Sequence, residues 1–222
     1  MDSQERDRRR QDRLTAFREE AAPVKEALAA AGIDPTDFGR FVNRPFPGVL
    51  EPAHFDEERA VPVLLGWLPR VRSEYVKESM VRHLHTKAAR GIAVEPLVEQ
   101  FKRSENPGYK WVVADVLQYI CGKSDFPALA KLAGDSRHGE GRAPLVDMMW
   151  RVKTEQADRI IMAALDDPEV PFQAMSALRR RFGNAAARPH IEPLLSSKHE
   201  RVRNSAREHL KRIDKYFATH GN

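Results

Sequence analysis

Trp111 and Asp115 stand four residues apart, and Asp147 and Trp150 three apart. On a helix either spacing puts both members of the pair on one face. The face of a tryptophan ring attracts a guanidinium or ammonium by cation–π interaction worth roughly 0.5–2 kcal/mol, and a carboxylate beside it pairs with the same charge. Two such pairs, extended by Phe172, describe an aromatic-acidic cleft that suits a basic side chain of a protein or peptide and repels a polyanion. Arg82 on one flank and Arg179 on the other are placed to meet acidic groups at the ends of a bound segment. Packing of the three rings between helices is the competing reading of the same residues.

Other chemistries find weaker footing. The stretch Gly134 to Arg142, GDSRHGEGR, is polar and glycine-rich, and Arg137, His138 and Arg142 ahead of a helix make it a candidate anion-binding loop. A plain inter-helix turn is the stronger reading of the same residues. His83 and His85 are two apart and so point to different helix faces, whereas paired helical metal ligands need spacings of three or four. No serine lies in a G-x-S-x-G setting, and no glycine-rich phosphate loop follows a strand. The single cysteine, Cys121, has no partner for an internal disulfide or a zinc knuckle, which fits a reducing compartment. No catalytic residue, metal or cofactor is assigned.

The elements that must position these residues come from a repeat. A nine-residue frame recurs five times: VKESMVRHL from Val76, YKWVVADVL from Tyr109, GRAPLVDMM from Gly141, VPFQAMSAL from Val170 and VRNSAREHL from Val202. Each frame follows another apolar helical segment, at Val61 to Leu68, Val94 to Phe101, Phe126 to Leu132, Ala157 to Leu165 and Ile191 to Leu195. Starts spaced 33, 32, 29 and 32 residues apart are the mark of a helix-pair array, in which no pair buries its apolar stripe alone and stacking supplies a shared core. At 100° per residue, frame positions 1, 5, 8, 9 and 12 face inward and positions 3, 7 and 10 outward. The expected fold is all-α, an α-solenoid of five helix pairs with an N-terminal helical cap.

The frames VRNSAREHL, VPFQAMSAL and VKESMVRHL resemble the second helices of HEAT repeats of the phycobilisome-lyase-like type, over about residues 57–216. AVPVLLGWLPRV and DSRHGEGRAPLV resemble stretches of small bacterial HEAT proteins of unassigned function. The frame departs from that pattern at Pro171, where a basic residue is usual, and at Gly141, where an aliphatic one is. The resemblance implies a superhelix whose concave face is made by second helices, and a binding scaffold in place of an enzyme. It also implies an alternative. Some HEAT-like proteins are alkylpurine DNA glycosylases that use tryptophans and an aspartate on that face, a role that Trp111, Trp150 and Asp115 would imitate.

Before the repeat, residues 1–22 form a charged, partly helical segment. Residues 23–55 form the cap, with a helix begun by Pro23 and ended by Gly32, a short helix from Asp34 to Val42 and a Pro-rich connector over Asn43 to His54. Residues 56–217 are the repeat domain and 218–222 a flexible tail. The opening MDSQERDRRR is charged where a signal peptide needs an apolar run, and no apolar stretch is long enough for a membrane span. The expectation is a cytoplasmic protein that does not bind membranes. Residues 169–222 carry 11 basic and 5 acidic side chains, against a net charge of +5 for the whole chain. A nucleic-acid partner would therefore have to use the C-terminal arginines, and a polar cap on the last repeat explains the same charges.

Overall fold

The computed structural model describes residues 3–38 and 56–220, and among these it is helical with no strand. No described helix is long and apolar enough to cross a membrane. The chain falls into two compact units, Met1–Arg103 and Ser104–Asn222. Their boundary lies inside the second expected helix pair, between its two helices.

In the first unit, α1 (Ser3–Ala30) is one long helix with Pro23 inside it, where the sequence suggests a new helix starting at that proline. Phe17, Ala21, Val24 and Leu28 are buried, an unbroken helical stripe that packs on α2 (Glu57–Trp67) and α3 (Glu74–His83). Burial of that stripe outweighs the single backbone hydrogen bond that a proline forfeits. Gly32 ends α1 as expected. At φ +73° it closes a Schellman turn, with its own N–H donating to Ala29 O (2.9 Å) and that of Ile33 to Leu28 O (3.0 Å). The short helix expected from Asp34 is a single 3₁₀ turn, Pro35–Asp37, with the Asp34 side chain accepting from Thr36 N. The expected helix beyond Phe38 and the connector Asn43 to His54 lie outside the described residues. Phe17 stacks at 6.5 Å on Phe38 and meets Tyr75 edge-on at 5.4 Å, while Phe38 stacks at 5.6 Å on His83. This aromatic cluster ties α1 and its turn to α3. The unit ends with α4 (Val94–Arg103).

The second unit has seven α-helices among its described residues. In order they are α5 (Pro107–Ile120), α6 (Phe126–Gly134), α7 (Ala143–Met148), α8 (Glu155–Ala163), α9 (Pro171–Phe182), α10 (Asn184–Ile191) and α11 (Glu200–His220). The fifth expected first helix, Ile191 to Leu195, is displaced: α10 runs to Ile191 and a 3₁₀ stretch, Glu192–Ser196, follows it. Residues 218–220, expected as tail, continue α11. The helix starts are chemically marked. Asn106 caps α5 by accepting from Gly108 N and Tyr109 N, and Thr154 caps α8 by accepting from Ala157 N. The second helices touch in succession, α5 on α7, α7 on α9 and α9 on α11, and α6 packs on α8.

Frame register is visible in burial. Val76, Tyr109, Gly141, Val170 and Val202 at position 1 are all buried, as are Met80, Val113, Leu145, Ala174 and Ala206 at position 5 and His83, Val116, Met148, Ala177 and His209 at position 8. Position 12 departs from expectation twice. Lys87 is exposed because α3 has already ended, and Arg181 is half-buried at the last turn of α9, bonded to Asp158. In two of the five frames the second position braces one helix on the end of the preceding one. Arg142 donates to Ala133 O (2.8 Å) and Arg203 to Ser197 O (2.8 Å) and Lys198 O (3.0 Å), filling carbonyls that a helix end leaves without partners.

Gly141 breaks the aliphatic pattern for a steric reason. A Cβ there would lie 2.5 Å from Lys110 Cβ and 3.1 Å from Pro107 O, so the 3₁₀ stretch Ser136–Arg142 can lie against α5 only without a side chain. Gly141→Ala is expected to destabilise the protein by about 1–3 kcal/mol, the usual cost of overpacking. Urea unfolding of the variant should show a lower midpoint at unchanged slope.

Candidate functional site

Three second-helix segments of the second unit carry the aromatic-acidic residues. Trp111 comes from the first turns of α5 and Asp147 from α7. Trp150 lies in the 3₁₀ turn Met149–Arg151 that continues α7, and Phe172 at the start of α9. Trp111 is 38% exposed, far above the core residues around it. A recess of about 200 Å³ is lined by Trp111, Gln118, Pro144, Asp147, Phe172 and Ser176, among others. Three of the five expected cleft residues are therefore brought together, and two are not among its lining. Asp115 accepts a hydrogen bond from Gln118 Nε2 at 2.8 Å. Trp150 is covered by a residue that the sequence analysis missed.

That residue is Arg180. Its guanidinium lies 4.1 Å from the Trp150 ring centroid, and its Nη1 donates to Asp147 Oδ2 at 3.0 Å. The chemistry foreseen for a guest, a cation held between an indole and a carboxylate, is thus realised by the chain itself. The signal was present in Arg179-Arg180-Arg181, but a basic run at the end of a helix reads first as a complement to the helix dipole. The other oxygen, Asp147 Oδ1, is buried and has no hydrogen-bond donor.

Phe172 is held from behind. His209 lies 4.6 Å from its ring and Arg212 5.1 Å. Arg179, expected as a flanking contact, instead donates through Nε to Asn184 Oδ1 (2.8 Å) and lies 3.2 Å from His209 Nδ1 through Nη1. Burial first, and then the charge of Arg212, lower its pKa from the ordinary arginine value. Arg82 belongs to the first unit, where it pairs with Glu78 at 2.7 Å, one helical turn away.

The loop cations are drawn to separate partners. Arg137 forks onto Asp135 (Nη2 to Oδ2 2.6 Å, Nε to Oδ1 2.9 Å), and this hydrogen bonding holds the Asp135 carboxyl well below the usual range. His138 Nδ1 lies 3.2 Å from Lys110 Nζ, and burial, followed by the Lys110 charge, lowers its pKa. Arg142 is buried, bonded to Ala133 O and ion-paired to Asp167. No common anion position emerges from these three. The C-terminal arginines are similarly engaged: Arg181 with Asp158, Arg188 with Glu192 and Asp214, and Arg207 with Asn204. Among the described residues no cluster of His, Cys, Asp and Glu is arranged to hold a metal ion.

His209 titrates in a way the site makes measurable. Its Nε2 lies 3.0 Å from the Phe172 carbonyl, so that nitrogen carries the hydrogen. Nδ1 then accepts from Arg179 and has no room for a proton. Burial, and next the Arg179 charge, push the pKa from 6.5 to about 4. The unfolded chain therefore takes up a proton below pH 6.5 that the folded chain refuses until about pH 4. Stability conferred by neutral His209 is complete above that window and is lost as pH falls through it, by about 2–3 kcal/mol. Urea unfolding at about pH 7 and about pH 4.5 should show this loss in the wild type, and a smaller one in His209→Gln.

Comparison with protein-family models, with curated proteins and with solved structures finds no match to this chain.

Proposed function

We propose that the helix pairs are HEAT-like repeats of an α-solenoid and that the protein is a non-catalytic scaffold, binding a basic side chain of a protein or peptide on its second-helix face. The observation that carries this reading is the recess beside Trp111. An exposed indole and the half-buried ring of Phe172 flank a carboxylate whose Oδ1 lacks a donor. A buried carboxylate oxygen without a hydrogen bond is costly, by about 1–3 kcal/mol, and a planar donor entering the recess relieves that cost after a small rotation of Asp147. The succession of second-helix contacts from α5 to α11 and the burial of frame positions 1, 5 and 8 support the repeat.

Arg180 gives the binding reaction its form. It already satisfies Asp147 Oδ2 and the Trp150 face, so a guest arginine either adds to the remaining oxygen or displaces Arg180. The nucleic-acid reading draws no such support. Its C-terminal arginines bond within the chain, and Trp111, Trp150 and Asp115 do not line one recess.

Selection of displayed random peptides on the folded protein should enrich sequences with an arginine or lysine. For the selected peptide, Trp111→Ala and Asp147→Asn should each weaken binding about tenfold or more, equivalent to about 1.4 kcal/mol, at unchanged helicity. Arg180→Ala should strengthen it by removing the internal competitor. Peptides without a basic residue, or binding unaffected by Trp111→Ala, would overturn the proposal.

A further inference from the structure

A second cavity, of about 490 Å³, opens where the start of α6 meets the segment between α7 and α8. Its wall is apolar, built by Phe126, Pro127, Ala130 and Val152. Its remaining side chains include three cations, Lys123, Arg151 and Lys153, and no acid. Arg151 is fixed in place, donating to Gln118 O at 2.7 Å with its guanidinium 5.9 Å from the Phe126 ring centroid. Lys123 and Lys153 are exposed and make no ion pair among the described residues. The acids nearest in sequence are used elsewhere: Asp125 accepts from Gly122 N at 2.8 Å, and Glu155 pairs with Arg159 at 3.5 Å.

This composition differs from that of an ordinary surface dent. Small-molecule sites are clefts of roughly 300–1,000 Å³ with mostly apolar walls and a few convergent polar groups, and this cavity has that size and that division. Burying an apolar body against Phe126, Pro127 and Val152 removes hydrocarbon from water, while three like charges with no internal counterion favour one anionic end. The first turn of α6, which carries no acid, borders the cavity and adds to the positive potential. The two parts are also matched in position, because Lys123 precedes Phe126 and Lys153 follows Val152 at the rim. We infer that this cavity binds a small amphipathic carboxylate, an aliphatic or aromatic body with a single acid group. The site is separate from the Trp111 recess: the two share no lining residue.

The test uses a matched trio of probes on the full chain, 4-phenylbutyrate, 4-phenylbutanol and 4-phenylbutylamine, followed by amide chemical shifts. The acid should shift the amides of Lys123, Ala130, Lys153 and Gln156 saturably, the alcohol should do so more weakly and the amine not at all. Lys123→Glu with Lys153→Glu, both exposed and so compatible with folding, should weaken phenylbutyrate binding about tenfold or more. Ala130→Met should block the acid and the alcohol alike by filling the wall. Absence of shifts at these amides with the acid, or equal shifts with the acid and the amine, would overturn the inference.

Discussion

The inward stripe of the second helices is the constraint on which everything else rests. A helix of ten to fourteen residues is marginal by itself and persists because one face is taken out of water. Frame positions 1, 5 and 8 supply that face in every repeat, and once they are fixed the side chains at 3, 7 and 10, Ala143 excepted, are left on the outer side. Trp111, Asp147 and Phe172 are outward because Tyr109, Leu145 and Val170 are inward. The recess is thus a by-product of core packing. Gly141 shows how little slack there is, since one methyl group there would meet the Lys110 side chain.

Arg180 illustrates how such a face is kept from becoming a liability. An indole and a carboxylate left open to solvent make an adhesive pair, and a cation from the neighbouring helix covers both. The arginine is exposed, its ion pair is worth about 1 kcal/mol or less at a surface, and its cation–π contact adds a comparable amount. Under the proposed function, a guest with the same planar cation and additional contacts competes with it. Asp147 itself stays in place because α7 is packed on α6 and α9.

Much of the fold was legible in the sequence. The helical class and the burial of frame positions 1, 5 and 8 follow from apolar periodicity, because burial is decided by which side of a helix a residue occupies. What was hidden depends on distances between segments far apart in sequence. Pro23 reads locally as a helix start, yet α1 runs through it because Phe17, Ala21, Val24 and Leu28 share one buried stripe across it. Ala143, expected outward at position 3, is buried, since the repeat at Gly141 enters as a 3₁₀ stretch drawn tight against α5. At the cleft, the face of each candidate was readable but its partner was not. Periodicity placed Asp147 and Trp150 outside. No local rule says that an arginine 33 residues after Asp147 closes over both.

Pairing across 23 to 33 residues recurs among the arginines of the last quarter. Arg180 reaches back to Asp147, Arg181 to Asp158 and Arg188 forward to Asp214, while Arg179 meets His209. Each arginine joins neighbouring helices instead of adding to a common positive track. A phosphate backbone would have to break such pairs before gaining its own, and the favourable release of counterions is correspondingly reduced where protein carboxylates already serve as the counterions. Net charge is therefore a poor guide here, and partner accounting a better one. By that accounting the cations without an internal counterion matter most. Lys123 and Lys153, in a region whose overall charge is nearly balanced, line an apolar cavity and make no ion pair among the described residues, whereas Arg180, Arg181, Arg188, Arg201 and Arg212 of the arginine-rich end are paired with carboxylates.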